Sequence, residues 1–224
     1  MPTYEGVRLR ILGIKRKKFA RLRVRKLKNK NFTIISNNCW AGMIYESYGL
    51  IKQTPTVGLY FFSNDYIKFI TSLKSYLRKE LIFIKPEQSK WYDKIKNDKK
   101  IGKYPIARLG DVEVFFLHYK SEEEAIEKWN RRIKRINWNN ILYKFNDQNG
   151  CTVNDYINFM NLPYKNKLFF TVKDWPSVNG EKNYIKIHQL SKKNYILASY
   201  EPFGKTRKID ITKVLNSMNE NKDN

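Results

Sequence analysis

The chain is poor in cysteine, histidine and acid. It has two cysteines, Cys39 and Cys151, and two histidines, His118 and His188, in 224 residues. Two separated cysteines exclude a disulfide scaffold, and with only two histidines beside them no zinc-finger spacing is met. Long apolar runs are missing as well. The uncharged stretch that begins at Asn31 and ends before Glu46 carries several polar residues, and nothing approaches the roughly 18 apolar residues of a spanning helix. No apolar secretory core follows the first basic residues. The expected location is therefore cytoplasmic, with peripheral attachment to the inner face of the plasma membrane. Neither GxGxxG nor GxxxxGK occurs, so the dinucleotide and phosphate-loop fingerprints are absent. No Asp-x-Asp pair is present, and no metal or cofactor is expected.

What is present in excess is positive charge. There are 44 Lys and Arg against 21 Asp and Glu, a net charge of +23. Residues 1–30 hold twelve of the bases and a single acid, Glu5, so this arm alone carries +11. Such an excess points to a polyanionic partner: an anionic membrane surface, a phosphorylated substrate or nucleic acid. The stretch from Ile14 to Lys30 lacks Gly and Pro. It reads either as a helix lying on anionic lipid, at about 1 kcal/mol per base, or as an unstructured basic arm. With 42% hydrophobic and 15% aromatic residues, the remainder can build a core, which excludes a wholly disordered chain.

Strand and helix signals alternate after the arm. Strands are expected at 32–36, 57–62, 81–84, 141–145 and 168–172, with helices through Ile44 and Tyr48, through Tyr66 to Leu77, and through Tyr156 to Met160. Gly49 is placed to end the first helix. Gly110-Asp111 joins 106–109 to 112–118 as a hairpin. Ser121 with Glu124, and Thr152 with Asp155, form capping boxes. A late antiparallel pair is expected from 184–187 and 195–199. The alternation predicts a three-layer α/β domain over 31–215, with a mixed β-sheet flanked by helices, a basic N-terminal arm at 1–30 and a polar tail at 216–224.

In such sheets ligands sit beyond the carboxyl ends of strands. Three polar turns fall there. Ser36-Asn37-Asn38-Cys39-Trp40 can bind an anion or hydroxyl at a helix N-terminus, or simply cap that helix. Asn64-Asp65 carries the same alternative, as does Asn146 to Thr152, whose Asp147 can serve as base or ribose ligand or sit in an ordinary turn. His118, at a strand end, is either a general base or a packed histidine. Cys39 is either a nucleophile or a buried thiol. Lys128, Arg132 and Arg135 share one side of the capped helix, as phosphate ligands or as a solvated face. The candidate catalytic residues are thus Asp147, His118 and Asp65. The candidate substrate-binding residues are Ser36, Asn37, Asn38, Cys39, Trp40, Arg132 and Arg135.

Several segments together resemble a known family. They are Asn31 to Gly42 (NFTIISNNCWAG), Thr54 to Leu59 (TPTVGL), Asp65 to Phe69 (DYIKF), Tyr104 to Asp111 (YPIARLGD) and Phe116 to Tyr119 (FLHY), followed by the Glu-rich helix with Trp129. In this order they are similar to the bacterial domain-of-unknown-function family numbered 1919, over about residues 31–175. The family pattern has two glycines after the Trp, where this chain has Ala41-Gly42. Members of the family are often labelled exopolysaccharide or capsule biosynthesis proteins. The resemblance implies an α/β fold and a link to cell-surface polysaccharide, and assigns no catalytic residue.

Two functional expectations follow. The first is a protein of cell-surface polysaccharide assembly at the cytoplasmic membrane face, a glycosyl- or substituent-transferase on a nucleotide- or lipid-phosphate-linked sugar. The alternatives are a nucleic-acid or polyanion binder, or an accessory scaffold of the same pathway.

Overall fold

The computed structural model describes residues 4–177 and 183–218. The elements in chain order are α1 (Tyr4–Lys18), α2 (Ala20–Val24), β1 (Thr33–Ser36), α3 (Trp40–Tyr48), α4 (Ser63–Thr71), α5 (Leu73–Tyr76), β2 (Ile82–Ile84), α6 (Tyr92–Ile95), β3 (Ile106–Leu109), β4 (Val112–Phe115), α7 (Glu122–Ile133), β5 (Ile141–Asn146), α8 (Val153–Asn161), β6 (Lys167–Thr171), β7 (Tyr184–Lys186) and α9 (Ile211–Ser217).

Four strands form a parallel sheet in the order β1-β5-β6-β7. Side-chain alternation sorts their residues to two faces. Ile35, Tyr143, Phe145 and Phe169 pack with α4, α7 and α8, while Ile34, Leu142, Leu168 and Phe170 pack with α3 and α9. This is the three-layer α/β arrangement. The hairpin lies in a second, antiparallel sheet, β2-β3-β4. Its Gly110 takes φ 67° in the tight turn, a conformation free of strain only without a Cβ.

The 57–62 segment expected as a strand is buried but makes one bridge only, Tyr60 with Phe115. One residue on, Phe61 N donates to Asn37 O at 3.0 Å. The segment therefore spends its backbone groups joining the two sheets instead of extending either. The exposed edge of β1 is covered in a related way. Thr33 Oγ1 donates to Gln53 O (3.0 Å), and Ser36 N donates to Thr56 Oγ1 (3.1 Å), which blocks further strand pairing there.

The late strands differ from expectation. β7 pairs parallel to β6, with Phe169 opposite Tyr184, because Tyr184 packs into the Tyr156, Phe169 and Trp175 ring cluster. Residues 195–199 form no ladder. Ile196 N is bound by Asp147 Oδ1 at 2.6 Å, and a 3-10 turn follows at Ala198–Tyr200.

The N-terminal arm is helical over Tyr4–Lys18 and Ala20–Val24 and irregular from 25 to 30, and some of its bases are structural. Arg16 pairs with Glu46 at 3.0 Å, Arg23 donates to Ser47 O at 3.0 Å, and Arg8 lies 3.9 Å over the Tyr200 ring. Of the expected polar tail, Met218 is buried; residues 219–224 lie outside the described residues.

Candidate functional site

β1 and β5 deliver two polar turns to the carboxyl edge of the parallel sheet. β1 ends at Ser36, and Asn37, Asn38 and Cys39 lead into α3. β5 ends at Asn146, and residues 147–152 lead into α8. Beneath both turns lies a charge that is rare inside a protein. Lys144, in the strand ILYKFN, is fully buried near the Trp40 and Phe170 rings. Its ammonium pairs with the equally buried Glu201 and donates to Asn38 Oδ1 at 3.0 Å.

The amides complete the set. Asn37 Nδ2 donates to Asn146 Oδ1 (2.7 Å), and Asn146 Nδ2 donates to Glu201 Oε1 (2.7 Å). Asn38 Nδ2 donates to Glu201 Oε2 (3.1 Å) and Gln148 Oε1 (3.1 Å). A buried ion pair is tolerated only when the remaining polar atoms are matched in this way. Burial pulls the Lys144 ammonium below the usual lysine range, and the Glu201 carboxylate opposes that pull.

Ser36 caps the turn from within, accepting from Ala41 N at 3.2 Å and donating to Asn38 O at 2.6 Å. Trp40 Nε1 donates to Pro202 O at 2.6 Å, holding down the loop that carries Glu201. Ser36, Asn37, Asn38 and Trp40 are therefore brought together, as the sequence suggests, but as a buried frame.

Two cavities open around this frame. The first, about 620 Å³, lies beyond the ends of β5 and β6 and is lined by Tyr60, Phe62, Lys94, Asp98, Asp147, Gln148, Asn149, Lys173 and Tyr195 among others. Asp147 sits at its base with both oxygens engaged. Oδ2 accepts from Thr171 Oγ1 (2.6 Å) and Val172 N (3.2 Å), and Oδ1 from Ile196 N. It ties three segments together. Gln148 uses its carbonyl on Asn38 and Asn146; its NH2 group has no hydrogen bond among the described residues and borders the cavity.

The second cavity, about 730 Å³, lies between α1, α3 and the 50–58 segment. His118 and Cys39 both line it. Burial, with a smaller effect of Lys100, pulls the imidazole below its ordinary range. The Cys39 thiol is pushed up to about 12 by burial and then by Glu201, which keeps it protonated near neutrality and removes its value as a nucleophile.

The remaining candidates lie elsewhere. Asp65 is buried at the start of α4 and lines neither cavity. It accepts from Lys90 Nζ (2.6 Å), Trp91 Nε1 (2.7 Å) and Glu113 N (3.1 Å). Arg132 is buried, donating to Tyr119 Oη at 2.5 Å, while Tyr119 donates to Val57 O at 2.6 Å. It thus stands behind the second cavity, whereas Arg135 lies past the end of α7, exposed in the turn that follows it.

Four motifs recur in the frame and its surroundings: NFTIISNNCWAG supplies β1 and the first turn, TPTVGL covers the β1 edge, and YPIARLGD with FLHY builds the second sheet and the His118 corner. The match is confirmed over most of the chain, since the family model described as "Domain of unknown function (DUF1919)" covers residues 11–219. The chain belongs to the DUF1919 family. It is also 35% identical, over 153 residues and 68% of each chain, to an "Uncharacterized protein" of Haemophilus influenzae (strain ATCC 51907 / DSM 11121 / KW20 / Rd). The DUF1919 match begins inside α1, so it includes part of the basic arm as well as the α/β body.

Sequence reasoning missed Lys144 and Glu201 in this DUF1919 chain. A lysine inside ILYKFN was a usable signal, because a charge in a strand of a doubly covered sheet needs a partner. Glu201 had no comparable local signal. It lies 57 residues from Lys144, on a loop with no periodicity.

Proposed function

We propose that the chain is a transferase of cell-surface polysaccharide assembly, binding a nucleotide- or lipid-phosphate-linked sugar in the cleft beyond β5 and β6. One observation carries this reading. The cleft at the carboxyl edge of the parallel sheet combines the rings of Tyr60 and Tyr195, the free NH2 of Gln148 and the ammonium groups of Lys94 and Lys173. Rings stack on sugars and bases, amides read hydroxyls, and lysines neutralise phosphate. The family resemblance to polysaccharide-associated proteins supports the same reading. Asp147 acts here by holding the cleft wall.

The N-terminal helices supply the membrane contact in this proposal. Tyr4, Val7, Ile11 and Ile14 are exposed at helical spacing, on the side of α1 turned away from the Arg16–Glu46 contact with α3. Arg10, Lys15, Lys17 and Lys18 flank them. Among the described residues no helix is long and apolar enough to cross a membrane. A helix lying on anionic lipid uses this pattern of an apolar stripe between bases.

The test is thermal denaturation of the full chain with nucleotide sugars, free nucleotides and short DNA. A nucleotide sugar at 100 times its Kd is expected to stabilise the protein by about 2.7 kcal/mol, an effect lost in Lys173→Ala and retained at moderate salt. Stabilisation by DNA alone, fading with salt, would replace this reading with that of a polyanion binder, which the +11 arm also favours.

A further inference from the structure

The second cavity differs in chemistry from the sugar cleft. Its wall is largely aliphatic, with Leu9, Met43, Leu50, Val57 and Leu117 facing it. Glycines keep it open. A Cβ on Gly42 would reach 2.9 Å from Val57 Cγ1, and Gly58, at φ 70°, sits against His118 and Tyr119. Its rim is cationic and unbalanced. Lys52 and Lys100 make no ion pair among the described residues. Lys52 stands in the field of Arg132 and, more weakly, of Lys128; Glu46 acts on it in the opposite sense, but that carboxylate is engaged by Arg16 and Lys17. Two segments, 98–100 and 197–198, contribute neighbouring residues to both cavities. Leu197 and Asp98 line the sugar cleft, and Ala198 and Lys100 line the apolar cavity.

An aliphatic pocket under two ammonium groups that form no ion pair among the described residues is complementary to one kind of molecule, an apolar chain ending in an anion. We propose that this cavity binds a lipid bearing a phosphate head group, its chain against Leu9, Met43, Val57 and Leu117 and its phosphate at the Lys52–Lys100 rim. The inference deepens the reading above: a transfer involving lipid-phosphate-linked sugar needs a seat for the lipid beside the sugar cleft, and these two segments place the two seats next to each other.

The test is calorimetric titration of the full chain with decyl phosphate below its micelle concentration, compared with 1-decanol and with inorganic phosphate. Decyl phosphate is expected to bind at least about tenfold more tightly than decanol, since a charge-assisted contact is added to the chain's burial, and inorganic phosphate is expected to give no saturable heat. Lys52→Ala should weaken decyl phosphate by about tenfold and leave decanol unchanged. Leu9→Arg, at a half-exposed position of α1, should weaken both. Lys52 makes no hydrogen bond among the described residues, so its variant carries the test even where Leu9→Arg fails to fold.

Unchanged decyl phosphate binding in Lys52→Ala would overturn the proposal. So would loss of binding in Ile11→Asp/Ile14→Asp with retention in Leu9→Arg, which would mean adsorption to the outer stripe. Lys173→Ala separates the two sites. It should abolish nucleotide-sugar binding and leave decyl phosphate untouched, so either reading can fail without the other.

Discussion

Two of the buried acids, Glu201 and Asp65, are held in different ways. At the carboxyl edge of the parallel sheet, Glu201 is matched to Lys144, and both side chains are sealed from water. At the junction of α4 with the antiparallel sheet, Asp65 is equally sealed, but its partner Lys90 keeps 39% of its side chain exposed. The second arrangement is a clip: one carboxylate gathers an ammonium, an indole N–H and a backbone N–H, and the ammonium can turn to solvent if released. The first has no such outlet. Each charge there has only the other as ionic partner among the described residues, and four amides are committed to keeping them in place. Position in the fold decides which is used. A strand covered on both faces offers a lysine no route to water, whereas a helix start beside a surface loop does.

That difference can be broken by substitution. Lys144→Met leaves Glu201 buried without a counter-charge and is expected to cost about 3–5 kcal/mol in chemical denaturation. Adding Glu201→Gln should recover part of that loss, with a coupling energy of about 0.5–3 kcal/mol. Strict additivity of the two substitutions would show that the pair is not a unit.

Asp65→Asn should cost less, about 1–3 kcal/mol, because Lys90 is freed to water. An Asp65→Asn loss equal to that of Lys144→Met would erase the distinction between clip and sealed pair.

The smallest effect lies in pH. The folded-state pKa of His118 is lowered from 6.5, so the unfolded chain binds its proton first as pH falls. Its contribution to stability is complete above about pH 6.5 and is lost below that, until the folded protein also protonates. His118→Gln should flatten this part of the stability curve; a slope that survives the substitution belongs to the acid clusters instead.

Much of the scaffold behind this contrast was legible in the chain. The β-branched run before Asn37, the Gly110-Asp111 turn and the two capping boxes are local signals, and each produced the expected element. Ser36, Asn37 and Asn38 were legible as a polar turn at a strand end. Their burial was not, because it depends on the loop after residue 200 folding back over them. The same reason hid the parallel placement of β7, which depends on ring packing with Tyr156 and Trp175 and on no pattern within 184–187. The separation of the hairpin into its own sheet was hidden too, since it rests on β3 pairing with β2 and β4 and with no strand of the parallel sheet, a long-range choice that no local signal carries. Asp65 and His118 were recognised as unusual, yet sequence spacing could not tell that they face different surroundings.

The parallel sheet carries a cost in time. β1 has a single strand partner, and that partner begins 108 residues later, Thr33 aligning with Ile141. At about 5–20 residues per second of synthesis, the apolar run Phe32 to Ile35 emerges from the ribosome roughly 5–20 s before β5 exists. Glu201 follows later still. Through that interval the nascent chain holds an unpaired, uncharged strand flanked on one side by twelve basic residues. Like charge on neighbouring nascent chains repels, so the same twelve bases that precede β1 oppose its pairing with a second copy during that interval.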